Sequence, residues 1–265
     1  MNTWKEFEKQ CTAYLNQKFG TYARFTHQGG ADSTVPDIFV ETRSGNAFYI
    51  DAKHTPAQCG QFVLIPDFQS ETFLYSSKNA SAVNVYAKAI MDYMNQDFCM
   101  FAQAGTTGKE IGMPNGTSIF SNWIVQMYQE KGVQFFITNE NTIFPISQIA
   151  DYFYITAKYR IKRSGSGSVG KTRIEKVAAY IKSNYYEIIS VHSDKNKLFV
   201  TALQELHNKR FECDGNEYMF SKRGNEYEIR RLSNTFHANV IFSITNKSGA
   251  QGMCDDDFIR CLGKH

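Results

Sequence analysis

The chain has no C-x-x-C pair: its six cysteines, at 11, 59, 99, 213, 254 and 261, are scattered along 265 residues. A structural zinc site needs closely paired ligands, so this distribution argues against one. There is no long apolar run, and Met1-Asn2-Thr3-Trp4-Lys5-Glu6 has none of the features of a signal peptide. The expectation is a protein of a reducing cytoplasm, with free thiols and no membrane partner. Internal repeats and long linkers are also missing. His54, His192 and His237 are isolated, and nothing pairs them with a nucleophile. The last absence is local. Between Tyr152 and Ile174 there is no acidic residue, although the net charge of the whole chain is only +3.

What is present is enough for a core. Hydrophobic residues make up 42% of the chain, and tyrosine and phenylalanine are abundant, as packed sheets favour. Trp4, Phe7, Cys11, Tyr14 and Leu15 fall at helical spacing, which predicts a helix over 3–18 with Thr3 as its cap and Glu6 completing a capping box. Glu8 lies on this helix. Its plain reading is a solvated surface glutamate, and a supporting place at a functional site is the alternative. A polar loop at 25–35 follows, where Gly29 and Gly30 allow close approach of a ligand and Ser33 and Thr34 can meet a phosphate oxygen.

Residues 36–53 hold the feature around which the chain is organised. Pro36-Asp37-Ile38-Phe39-Val40 and Phe48-Tyr49-Ile50-Asp51-Ala52-Lys53 read as two strands joined by a turn at Ser44-Gly45-Asn46. Side chains alternate along a strand. Phe48, Ile50 and Ala52 therefore share one face, and Asp51 and Lys53 share the other. Ile38 and Val40 point away from Asp37. The apolar faces enter a core, and two carboxylates and an ammonium gather at its edge. Asp37 and Asp51, helped by the Ala52 carbonyl, suit Mg²⁺, and Lys53 is placed to orient or deprotonate a water attacking a phosphodiester. The competing reading is a surface hairpin carrying a salt bridge to Lys53.

Further on, the pattern predicts a polar loop and buried strand over 58–66, with Gln58 and Gln61 bracing the site. It then predicts a helix over 80–98, a surface loop over 103–117, a helix over 119–131 and a strand over 133–138. The succession implies a mixed sheet flanked by helices, an α/β (α+β) class. An aromatic, basic strand over 152–163 leads into a helix over 171–184 and a strand-rich remainder. That remainder includes a strand over 238–244 and a short helix from Asp255, whose acidic start suits a helix N-terminus. Three regions result: 1–78 with the hairpin, a helix-and-strand 79–165, and a strand-rich 166–265.

Gly165-Ser166-Gly167-Ser168-Val169-Gly170-Lys171-Thr172 matches the phosphate-loop pattern G-x-x-x-x-G-K-[ST]. Its context is wrong. The strand before a phosphate loop is normally buried and apolar, whereas this one ends Lys158-Tyr159-Arg160-Ile161-Lys162-Arg163. No nucleotide cofactor is expected. Lys158, Arg160, Lys162, Arg163, Ser164, Ser166 and Lys171 fit better as contacts to a nucleic-acid backbone or base edge, with a solvated charged loop as the plain alternative.

Taken together, the residues resemble type II restriction endonucleases of the PD-(D/E)xK superfamily, within them the HhaI endonuclease group. The similar stretches span nearly the whole chain. They include Trp4-Lys5-Glu6-Phe7-Glu8, Asp32-Ser33-Thr34, the 58–66 segment, Gly132-Val133, Tyr159-Arg160-Ile161-Lys162 and Ala238-Asn239-Val240-Ile241-Phe242. The resemblance implies Mg²⁺-dependent cleavage of double-stranded DNA at a short sequence, GCGC being the candidate, by an enzyme able to act as a monomer. It matches Asp37, Asp51 and Lys53 to the catalytic positions. The chain departs from the related pattern in having Pro36 before Asp37, Asp at 51 in place of Glu, a longer hairpin, and a divergent loop after Ser166. A structure-selective nuclease and a non-catalytic DNA-binding protein are the competing functions.

Overall fold

The computed structural model describes residues 4–29, 35–163, 165–233 and 236–263. Thr3, Ser33, Thr34 and Ser164 lie outside them. The chain begins with α1 (Trp4–Phe19), β1 (Ala23–His27), β2 (Ile38–Thr42), β3 (Ala47–Lys53), β4 (Ala57–Asp67) and β5 (Thr72–Tyr75). Next come α2 (Val85–Asn95), α3 (Phe98–Ala102), β6 (Lys109–Glu110), α4 (Gly116–Glu130), β7 (Val133–Thr138), β8 (Ile143–Pro145), α5 (Ile149–Tyr152) and β9 (Phe153–Arg163). The remainder holds β10 (Ser166–Ser168), α6 (Ile174–Asn184), β11 (Ile188–Asp194), β12 (Lys197–Ala202), β13 (Arg210–Cys213), β14 (Asn216–Arg223), β15 (Glu226–Leu232), β16 (Phe236–Asn246) and α7 (Asp255–Gly263). Among the described residues no helix is long and apolar enough to cross a membrane, and all six cysteines are free thiols.

Contacts divide the chain into two compact units, residues 1–160 with 238–265, and residues 161–237. The first contains two five-stranded sheets. One runs β1-β2-β3-β7-β8, antiparallel except for the parallel pair β3 and β7, and the other runs β5-β4-β16-β9-β6. Phe48 and Ile50 of β3 join Ile38 and Val40 of β2 in one core with Cys11, Leu15 and Phe19 of α1 and Phe258 and Leu262 of α7. Ala52 packs against that core. The opposite face of β3 and β7 is covered by α4, whose Tyr128 meets Phe136 edge-on at 4.9 Å.

Several elements differ from the sequence reading, each for a local reason. Residues 58–61 are strand and not loop, because the first part of β4, residues 57–63, pairs with β16 and Cys59 alternates into the interior. The helix expected over 80–98 starts only at Val85. The Asn84 side chain accepts the Ala87 N–H and caps it there, so Val83 lies before the helix. The glycine-serine stretch after β9 is strand and not a solvated loop. Ser166–Ser168 is extended and pairs antiparallel with β15, and Val169 is fully buried in the core of the second unit. Residues 238–265 return to the first unit, unlike the grouping of 166–265: alternate residues Val240, Phe242 and Ile244 are fully buried, and α7 packs its apolar stripe into the α1 core.

The second unit is a sheet of order β11-β12-β15-β14-β13, with β10 on β15. Val177 and Ile181 of α6 pack on Leu198, Val200, Phe220 and Ile229. On its other face Glu228 is only 2% exposed, and burial without partners would be costly. Arg230 donates to its Oε1 at 2.6 Å and Arg223 to its Oε2 at 3.3 Å. Arg230 also donates through Nε to Ser166 Oγ at 3.1 Å and through Nη2 to the Ser166 carbonyl, which ties β10 to the sheet.

Candidate active site

The site forms where β2 begins and β3 ends. Asp37 precedes β2, and its Oδ2 accepts the Ala52 backbone N–H at 2.9 Å. The Gln28 and Gly29 N–H groups donate to the Asp37 carbonyl at 2.8 and 3.0 Å, so the loop after β1 is fastened at the same point. On β3, Lys53 Nζ lies 2.5 Å from Asp51 Oδ2. The salt bridge of the competing reading therefore exists, but not at a surface. Asp51 is 7% exposed, because β3 is a central strand and α4 closes over it. The sequence placed these charges at the edge of the core, and the parallel pairing with β7 buries them instead.

Burial and neighbouring charge set the ionisation of the three groups. The Asp37 carboxyl is pushed up to about 8, first by burial and then by the Asp51 charge; the Ala52 N–H and Lys53 pull the other way. Burial also disfavours charge on Asp51, but the Lys53 ammonium outweighs it and holds that carboxyl below the ordinary range. Lys53 mirrors this. Burial works against its charge, and the Asp51 carboxylate holds it well above an ordinary lysine. The arrangement is two close carboxylates with one strongly held ammonium paired to Asp51.

Four further side chains converge here. Glu8 is buried and not the solvated residue of its plain reading, and its Oε2 is 3.0 Å from His27 Nε2. Gly29 fits between Glu8 and Asp37: a Cβ there would stand 2.3 Å from Glu8 Oε2 and 3.1 Å from Asp37 Oδ1. Gly29→Ala should therefore displace the Glu8 carboxylate and destabilise the fold by about 1–3 kcal/mol, with helix content unchanged by circular dichroism. A melting temperature equal to wild type would show that Glu8 can move freely. The third is Tyr128, whose hydroxyl lies beside Asp51 and Lys53. Lys53 Nζ lies 5.4 Å from its ring centroid and 5.9 Å from that of Phe136. Cys59 closes the site from β4 with a thiol pushed up to about 12, chiefly by burial, so it is a neutral wall.

The remaining residues singled out in the sequence stand elsewhere. Gln58 donates to Gln61 at 3.1 Å, and Gln61 also accepts from Asn239 at 3.2 Å, so both brace the β4–β16 pair; it is Cys59 between them that faces the charges. Lys158 and Arg160 are part-exposed on one side of β9, alternating with buried Ala157 and Tyr159. Lys162 and Arg163 end that strand. Ser166 is engaged by Arg230, and Lys171 is exposed.

His27 and Tyr128 were missed. Tyr128 follows Phe120 and Ile124 at helical spacing and reads as ordinary core; no sequence signal tells where its hydroxyl points. His27 ends a short strand whose alternation, with Ala23 and Phe25 inward, could have placed it beside the helix carrying Glu8.

Comparison with known proteins identifies the relationship. No protein-family model and no curated protein sequence matches the chain. A solved structure of HhaI endonuclease in complex with DNA matches over 95% of this chain and 93% of that one, with a TM-score of 0.69 and 39% sequence identity. At that identity over nearly the full length of both, the chain belongs to the HhaI-like restriction endonucleases.

Proposed function

We propose that this chain is a type II restriction endonuclease that uses Mg²⁺ to hydrolyse double-stranded DNA at a short specific sequence, leaving 5′-phosphate and 3′-hydroxyl ends. The observation that carries this reading is half-buried Asp37 beside buried Asp51, with Lys53 against Asp51. Among the described residues no group of three His, Cys, Asp or Glu side chains forms a metal site, so the donor set is the two carboxylates and the Ala52 carbonyl. The fit of a divalent cation follows from their chemistry. Without one, the pair keeps a proton on Asp37 well above the ordinary carboxylate range; a cation stabilises both carboxylates as anions. When bound, Mg²⁺ supplies charge neutralisation at the scissile phosphate and makes water more acidic. Lys53, held as an ammonium, orients the attacking water and stabilises negative charge developing on the phosphate. Its raised pKa favours this donor role over that of a base.

The partner is double-stranded DNA. Residues 161–237 hold fourteen Lys and Arg against nine Asp and Glu, a balance suited to a polyanion. Lys158, Arg160, Lys162, Arg163 and Lys171 are the proposed phosphate or base contacts, with Ser33, Thr34 and Ser164 as further contacts. The enzyme acts as a monomer without a nucleotide cofactor. Digestion of plasmid DNA with Mg²⁺, followed by end mapping, tests the proposal, and GCGC is the first sequence to examine. Discrete fragments with 5′-phosphates are expected. Cleavage confined to branched substrates would instead make this a structure-selective nuclease, and DNA binding without nicking a non-catalytic protein.

A further inference from the structure

We propose that Tyr128 is the positioning residue for Lys53, holding the ammonium in line with the scissile phosphate independently of its salt bridge to Asp51. This inference rests on the nuclease reading above.

The geometry separates Tyr128 from ordinary core filling. A phenylalanine would satisfy the packing against Phe136, but a buried hydroxyl needs a partner. Here a donor and an acceptor stand beside it at once, the Lys53 ammonium and the Asp51 carboxylate. The Tyr128 and Phe136 rings also flank Nζ, at 5.4 and 5.9 Å from their centroids, where the π faces attract a cation. In register, Phe136 lies opposite Asp51 on the parallel strand, so sheet and α4 fix the two rings from different elements.

The need for such a device follows from conflicting demands on Asp51. At 2.5 Å its carboxylate holds Lys53 tightly, yet in the proposed reaction it must turn its charge toward a cation while Lys53 turns toward water and phosphate. A lysine stem has four rotatable carbons and little preference of its own. Once the salt bridge loosens, the hydroxyl and the two rings are what keep Nζ in place, and the same hydroxyl keeps Asp51 oriented. Because Tyr128 touches Asp51 and Lys53 and no reacting atom, its role is positioning.

Single-turnover cleavage of plasmid DNA by Tyr128→Phe, beside wild type and Lys53→Ala, tests this. The rate constant should fall about 10- to 100-fold, the range expected for a small misplacement of a reacting group. The Kd for DNA, measured with Ca²⁺ in place of Mg²⁺, should stay within about twofold. A parallel run with DNA in excess gives a burst amplitude that counts folded, competent enzyme, so partial unfolding lowers that amplitude and leaves the single-turnover rate constant alone. A wild-type rate in Tyr128→Phe with inactive Lys53→Ala overturns this inference and leaves the nuclease reading intact. An active Lys53→Ala overturns that reading and the inference built on it. Should Tyr128→Phe not fold, Phe136→Leu removes one of the two rings and must lower the rate constant at unchanged amplitude; an unchanged rate overturns the proposal.

Discussion

Lys53→Ala should abolish DNA cleavage while leaving binding to DNA in place. The ammonium is held charged by Asp51 and is the group available to stabilise negative charge as the phosphodiester is attacked. Preorganised charge in a water-poor site contributes about 10²–10³ in rate, and proton handling about 10²–10⁴, so a loss of about a thousandfold or more is expected. The same substitution leaves Asp51 buried without its counter-charge, which costs about 3–5 kcal/mol when one partner of a buried pair is removed. That approaches the whole stability of a marginal domain. Lys53→Met is the better-controlled variant, since it keeps the stem between Tyr128 and Phe136 and removes only the charge. Both variants should melt at a lower temperature than wild type, regain part of the difference when Ca²⁺ is added, and retard labelled duplex DNA in the presence of Ca²⁺. Residual nicking near the wild-type rate by either purified protein would sink the assignment of Lys53.

Period-two alternation placed Asp51 and Lys53 on one side of a strand and Phe48, Ile50 and Ala52 on the other, and that follows from strand geometry alone. Alternation says nothing about what lies above the polar side. That depends on β7 pairing parallel to β3 from more than eighty residues downstream and on α4 bringing Tyr128 down onto the ion pair. Long-range closure of this kind turned an expected edge site into a buried one and raised the Asp37 pKa. The same limit applies to Glu8. Helical spacing marked Phe7, Cys11 and Leu15 as inward, and Glu8, beside them, enters the interior only because Gly29 leaves room for its carboxylate. The phosphate-loop lookalike failed for the opposite reason. Its letters are local, but what Ser166–Ser168 becomes is decided by β15, with Arg230 pinning it from the neighbouring strand. Strand 238–244 was legible as a strand, yet its partner β4 lies far back in the chain, so its membership of the first unit was not.

The metal-free protein should lose stability as pH rises from about 4 to about 8, and a divalent cation should cancel that loss. Asp37 ionises near 3.8 when unfolded and at about 8 when folded. Between these values the folded state holds a proton that the unfolded state has released, so raising the pH draws the equilibrium toward unfolding. Asp51 acts in the other direction and in another window. Its folded pKa is depressed, so its contribution is present above 3.8 and is lost only as pH falls below that, leaving the Asp37 effect unmasked. Melting curves in EDTA across pH 5–8 should therefore slope downward for wild type and flatten for Asp37→Asn. The same proton gives a second readout. If a cation binds both carboxylates, it must expel the proton from Asp37, so binding at pH 7 should release close to one proton and binding well above pH 8 almost none. Calorimetric titration of Mn²⁺ or Mg²⁺ in two buffers of different ionisation enthalpy measures this directly. The observed enthalpy should depend on the buffer at pH 7 and become independent of it at high pH. An enthalpy that ignores the buffer at pH 7, together with a level melting profile, would mean that Asp37 is already ionised and that the cation is not held by the pair.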